Sequence, residues 1–246
     1  MKKAMAIVLV VCIIAMLCGC EKDPAKVEGS GFDSAEKAVL AYAEALKTGD
    51  VSAVLSTFAV ETYVENYDME EYLEYIRCYM YAGPTAIDSA DTYTRDLNLI
   101  NRQYQISKNL TNMYLTVGKL ENFTVPIPFN GDPYGDASDL MDDLVIDDWM
   151  EMLAEMEIGD VLEAEDFSDL GGIDGLEDAL DRQADYFNCD ELVSLAVEVE
   201  IDGEDYYLCV DVACYDGTWY NCTPMGMLSM LMGAEALCGG LVSQDS

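Results

Sequence analysis

The chain of 246 residues reads as an α+β protein, with N-terminal helices packed on an antiparallel sheet and a largely helical, acidic insertion in the middle. Three observations predict this. Glu191 to Cys222 holds three runs that alternate apolar and polar residues, divided by two Asp-Gly pairs. Ala35 to Phe58 carries apolar residues at helical spacing between capping residues, and Asn130 to Asp190 is dense in carboxylates placed where helices start.

The three runs predict a meander. Val193, Leu195, Val197, Val199 and Ile201 alternate with small or charged residues, the period of a strand with one dry and one wet face. Asp202-Gly203 supplies the positive φ angles of a two-residue hairpin. That turn sets Val199 opposite Tyr206 and Val197 opposite Leu208. Asp216-Gly217 then sets Cys214 opposite Trp219 and Val212 opposite Asn221 on the dry face, with Ala213 opposite Tyr220 and Asp211 opposite Cys222 on the other.

At the start of the chain Lys2 and Lys3 precede an apolar run from Ala4 to Leu17, too short to span a bilayer and suited to a secretory signal. It ends in Leu17-Cys18-Gly19-Cys20, which resembles the lipobox of bacterial lipoproteins. The resemblance implies cleavage after Gly19 and lipid modification of Cys20, hence a chain anchored to the outer face of the cell membrane. Acyl chains contribute roughly 0.8 kcal/mol per buried methylene, so two or more make such anchoring stable. Residues 1–19 are thus the expected signal and 20–32 a flexible tether rich in polar residues, Pro24, Gly29 and Gly31. Residues 33–235 form the expected extracytoplasmic domain, with the insertion at about 83–190 and a frayed tail at 236–246.

Composition narrows function. The formal net charge is −36 and falls further once Lys2 and Lys3 leave, which excludes nucleic acid and anionic headgroups as direct partners. Histidine is absent, removing the commonest general base and metal ligand. Six cysteines follow Cys20. In the meander Cys209 and Cys222 share a face while Cys214 points to the other, so the three are not placed to share a zinc ion. Buried free thiols are the expectation, and no cofactor or metal is implied.

Ser34 to Glu36 opens a helix carrying Ala38, Val39, Tyr42 and Leu46, Gly49 stops it, and Asp50 caps a second helix to about Phe58. The run from Ser34 to Leu55 resembles the opening helical pair of the nuclear-transport-factor-two-like superfamily. Cys214-Tyr215-Asp216-Gly217-Thr218-Trp219-Tyr220 resembles an ending common in small lipoproteins of that superfamily. The resemblance covers roughly a third of the chain and implies a strongly bent sheet that wraps the helices into a cone. Its motifs are not catalytic.

Further along, Asp68 to Glu71 has the form of a capping box, and Thr92 to about Val117 reads as a long helix bearing Arg95, Arg102 and Lys108, expected to pair with acidic groups ahead of the alternative, binding an anionic ligand. Phe123 to Phe129 reads as an edge strand or surface loop. Short helices are expected at Asp148 to Met156 and Gly175 to Phe187. Asn130 to Asp139 has oxygen ligands, but Tyr134 and Met141 stand where a calcium loop needs ligands. Thr223-Pro224 is the signature of another helix start.

The leading functional expectation is a non-catalytic domain, held at the membrane through Cys20, that binds a small molecule or scaffolds another envelope protein. If the cone is open, Tyr42, Tyr206, Trp219 and Asn221 line it, although core packing competes for each. On the other face Tyr207, Tyr215 and Tyr220 flank Asp211, either as an interaction surface or as a face covered by the middle segment. The alternatives are an isomerase- or cyclase-like enzyme in the cone, as the superfamily also contains, and an accessory subunit of an envelope complex. The enzyme needs a carboxylate inside the cone, and the dry faces of the first two runs carry none.

Overall fold

The computed structural model describes residues 26–76, 92–117, 146–234 and 238–244. Cys20, Cys78, the Phe123 to Phe129 run and the Asn130 to Asp139 loop lie outside these residues. Helices α1 (Ala35–Lys47), α2 (Val51–Ser56), α3 (Glu61–Asn66), α4 (Met69–Ile76) and α5 (Thr92–Val117) come first. They are followed by α6 (Ile146–Glu155), β1 (Glu157–Leu162), α7 (Leu176–Phe187), β2 (Glu191–Ile201), β3 (Glu204–Tyr215), β4 (Thr218–Thr223), α8 (Met227–Leu231) and β5 (Leu241–Ser243). The sheet is antiparallel in the order β1-β2-β3-β4, with β5 pairing the other half of the β3 edge that β4 uses. The chain is an α+β protein.

The capping residues act as expected. Ser34 accepts from the Lys37 amide, Asp50 from the Ser52 amide, and Asp68 from the amides of Glu70 and Glu71. Gly49 takes a φ of 62°, the left-handed conformation that ends α1 without a Cβ penalty. Helix α1 lays Val39, Tyr42 and Leu46 on the sheet, all buried, which stabilises the fold by roughly 5 to 8 kcal/mol before entropy is counted.

Most of the meander register is as the turns dictate: Val199 faces Tyr206, Val197 faces Leu208, Cys214 faces Trp219 and Val212 faces Asn221. One pair differs. A β-bulge between Asp211 and Val212 sets Asp211 opposite Thr223 and leaves Cys222 as the extra residue. The middle of the chain also contributes β1, which joins the sheet through its own bulge between Ile158 and Val161.

Two expected loose ends are fixed. Gly29 and Phe32, within the expected tether, bond through their backbones to Ser56 and Trp219. Glu28 accepts from the amides of Val60 and Thr62 and the Thr62 hydroxyl, capping α3 from 33 residues before its first residue. At the other end, residues expected to fray form β5, with Leu241 and Val242 buried against β3. The helix expected from Thr223-Pro224 starts later, at Met227, because Thr223 still belongs to β4.

The face of the sheet expected to be wet is covered as well. Helices α7 and α8 pack on it, and Ser194, Ala196, Cys209, Asp211 and Ala213 are all buried. Small side chains let α8 approach closely. Two polar ones satisfy the free amides of its first turn: Asp211 Oδ1 accepts from Met227 N at 2.8 Å and Ser194 Oγ from Leu228 N at 3.0 Å.

Candidate binding cleft

Among the described residues, three of the four expected to line an open cone are buried. Tyr42 and Asn221 are fully buried. Tyr42 meets Phe58 edge to face at 4.9 Å and points its hydroxyl at Met113 Sδ. Asn221 Nδ2 donates to the carbonyls of Ala38 and Thr57, tying α1 and the end of α2 to the sheet. Tyr206 is buried with its hydroxyl donating to Glu204. Of the four, Trp219 lines a cavity at the rim.

The second expected group is not a surface. Asp211 is 1% exposed, and Tyr215 and Tyr220 are buried. Tyr215 donates to the Phe187 carbonyl, and Tyr207 is half-buried against the Phe167 ring. The reason is helical cover from α7 and α8 and, at Tyr220, cover by the stretch around Gly31. Burial pushes the Asp211 carboxyl from an ordinary 3.8 up to about 7, against the Ser194 hydroxyl and Met227 amide, which favour the anion. Asp211 lies on the opposite face from Asn221 and Tyr42, so its carboxyl does not converge with them.

The basic residues of α5 divide. Arg95 pairs with Glu65. Arg102 is buried, donates to the carbonyls of Ala59 and Cys222, and stacks 3.9 Å from the centre of the Tyr63 ring. Tyr63 also opens a chain of aromatic contacts through Tyr67, Tyr72, Tyr75, Tyr186 and Phe187 that joins α3, α4 and α7. The five cysteines among the described residues are free thiols, four of them buried.

The cleft at the rim has a volume of about 870 Å³, within the range of sites that hold a ligand. Its origin is a missing strand partner. Strand β1 pairs with β2 only as far as Leu162 opposite Ala196. There the chain turns away into a 3-10 turn, Ala164–Phe167, fixed by reciprocal capping between Glu163 and Asp166. Had β1 continued, it would have covered Leu195 back to Glu191.

The cleft touches Leu192 and Ser194, which face α7 and α8, and also Val193 and Leu195, which face α1. Consecutive strand residues point to opposite faces. A cavity in contact with all four therefore runs along the edge of the strand. Asp202 and Gly203, with φ of 54° and 76°, form a two-residue turn closing on the hydrogen-bonded pair Ile201 and Glu204. Such pairs recur every second residue. Glu191, Val193 and Leu195 hence bond to β3, and the N–H and C=O groups of Leu192 and Ser194 point away from β3, within residues that are buried. Among the described residues none takes up those groups.

One wall is the N-terminus of α1, Ser34 to Glu36, with Trp219 beside it. The opposite wall is Ile173, Leu176 and Leu180, with Asp174, Glu177 and Asp181 at its mouth; Glu163 and Glu165 close the end. The carboxylates are exposed, and none of the lining residues is basic. Sequence reading missed this site because it joins four separate stretches and depends on where a strand stops. The one signal was the run of acidic residues from Glu163 to Asp181.

No known protein-family profile matches the chain, and no curated protein matches it. Among solved structures, the chain is similar to a cystatin-like protein from Ruminococcus gnavus ATCC 29149, at a TM-score of 0.50 and 13% sequence identity. The likeness covers 87% of this chain and 45% of that one, so the chain spans just under half the length of the neighbour it matches. It is a likeness of fold, and with the helices laid on the five-stranded antiparallel sheet it gives the chain a cone-like α+β fold.

Proposed function

We propose that the chain is a lipid-anchored, extracytoplasmic binding domain without a chemical step of its own, and that the rim cleft is its working surface. The observation that carries the reading is the contrast between a filled interior and an open rim. Tyr42 is taken up in packing and the Asn221 amide nitrogen in tying elements together, whereas the rim offers a roomy cleft with exposed carboxylates at its mouth. A catalytic carboxyl needs burial or a neighbour that shifts it toward its task. Asp211, whose carboxyl burial raises, is sealed beneath α8 with its Oδ1 held by Met227. The anchor is supported by the Leu17 to Cys20 motif and by a net charge that keeps the domain off anionic headgroups.

Two measurements on one preparation test this. Cells producing the full chain are fed an alkyne fatty acid, and the membrane-extracted protein is weighed by native mass spectrometry. The expected result is label that is lost in Cys20→Ala, together with a bound species that is lost when Glu165 and Asp181 are both changed to lysine. Unlabelled protein would overturn the anchor. A bare mass, or a bound species indifferent to the two lysines, would overturn the cleft as the working surface.

A further inference from the structure

Resting on the reading of the rim cleft as a binding surface, we infer that its ligand is a small organic cation with an apolar body, an aliphatic or aromatic amine, seated against Trp219. The whole surface is acidic, so charge alone does not select the cleft; a cavity of about 870 Å³ with an indole in its wall does. Its lining then sets the chemistry. Seven carboxylates line it and no lysine or arginine does, so an anionic ligand would meet repulsion that nothing offsets. A bare metal ion has no seat, because among the described residues no three acidic or cysteine side chains are grouped to hold one. An extended peptide added as a strand needs an accessible edge, and Leu192, Ser194 and Leu195 are buried. What a ligand can reach is apolar surface and charge: Ala35, Ile173, Val193 and Trp219 are half-buried, with exposed carboxylates around them.

The indole is held in place by its backbone. Trp219 N–H donates to the Phe32 carbonyl and the Trp219 carbonyl accepts from Phe32 N–H, both at 2.9 Å. Glu191, Cys214 and Trp219 are successive partners across β2, β3 and β4, so Glu191 and Trp219 rise from one face of the sheet with their backbones about 10 Å apart, two strand spacings. Glu36, in the first turn of α1, stands on the same wall. A helix start favours anions, but here the Ser34 hydroxyl takes up the Lys37 amide and Glu36 adds a full negative charge. A cationic head over the indole thus sits among carboxylates from α1 and β2, where the ring face and the charges attract it together. The apolar body lies along Val193 toward Ile173 on the opposite wall. With seven carboxylates sharing the charge, no single one decides binding.

The test is calorimetry and nitrogen NMR on the full chain in a neutral detergent, with phenylpropylammonium as the probe. Phenylpropanol and phenylpropionate, of the same shape, are the uncharged and anionic controls. The expected result is saturable binding of the ammonium at least tenfold tighter than the alcohol, no saturation by the carboxylate, and a Trp219 indole signal that moves on titration. Raising salt from 50 to 500 mM weakens the ammonium several-fold. Changing Glu36→Gln, Glu177→Gln and Asp181→Asn together weakens it at least tenfold, whereas Glu200→Gln, Asp202→Asn and Asp205→Asn together, away from the cleft, leave it within twofold. All six side chains are exposed, so folding is not at stake in either variant. Equal binding of the alcohol would overturn the cationic assignment. Equal loss in the two triple variants, or an indole signal that stays put, would overturn the seat at Trp219. If no probe binds, yet the native species above is lost in the lysine variants, the amine inference fails and the reading beneath it survives; if that species is indifferent to the lysines as well, both fail. Trilysine displacing the ammonium at a lower concentration would assign the cleft to a basic polypeptide and overturn a small ligand.

Discussion

Replacing Asp211 by asparagine removes a buried group whose proton ties the stability of this fold to pH. Asp211 is 1% exposed, bonded through Oδ1 to Met227 N, and its Oδ2 finds no partner among the described residues. Burial raises its carboxyl from 3.8 to about 7. Because the native pKa is the higher, the folded chain holds this proton between those values while the unfolded chain has released it. Stability therefore falls as pH rises through that interval and levels off above it. At 1.36 kcal/mol per unit the full span is about 4 kcal/mol. An asparagine carries no such proton, so its stability relative to wild type should climb by about 4 kcal/mol from pH 4 to pH 8. A constant offset of about 1 to 3 kcal/mol for the asparagine amide, which lacks an acceptor, lowers the whole difference without changing its slope. The assay is urea unfolding of both proteins in half-unit pH steps, followed by far-UV circular dichroism. Taking the difference cancels the repulsion among the other carboxylates, which both chains share. Parallel curves, with a difference flat across the interval, would refute the reasoning by showing that Asp211 ionises as it does in water.

Glu28 carries the opposite sign. Burial pushes its carboxyl up, but Lys26, the Thr62 hydroxyl and the amides of Thr62 and Val60 outweigh burial and hold it below the usual range; its contribution is present above the unfolded pKa and lost as pH falls through the native one. Glu28→Gln should cost about 2 kcal/mol at pH 7 by urea unfolding, with the gap closing in acid. Arg102→Lys keeps the charge but loses the planar stack on Tyr63 and one of the two carbonyl bonds, and thermal unfolding should report about 2 to 4 kcal/mol of destabilisation. Gly226→Ala would place a methyl 2.8 Å from both Asp211 Oδ1 and the Val210 carbonyl carbon; α8 must lift to admit it, and exchange of the Met227 and Leu228 amides should quicken at least tenfold.

Sequence periodicity carried most of the sheet because two Asp-Gly turns fix both register and face. Val212 opposite Asn221 follows from counting back from Asp216-Gly217, and the structure has that pair. The count fails one step further, at Asp211 and Cys222, because a bulge adds a residue without marking the alternation. Strand β1 was hidden by Gly159 and Asp160, poor strand formers that the bulge tolerates. The second face misled for a physical reason. Ser194 and Asp211 are polar, yet they are buried as acceptors for helix amides rather than solvated. Asn221 was legible as an inward residue but not as a tie between α1 and α2, since its partners, the carbonyls of Ala38 and Thr57, are more than 160 residues away. The cleft was least legible, because it joins stretches far apart in the chain at the point where β1 ends.

The most direct test of the rim as working surface is site-specific photo-cross-linking of the full chain in the membrane that carries it. A benzophenone side chain replaces Glu191, on the cleft, or Asp202, exposed at the hairpin tip at the opposite end of β2. The expected result is one dominant adduct from position 191 and none from position 202. Equal adducts from both positions, or none from 191 with the anchor intact, would contradict the account.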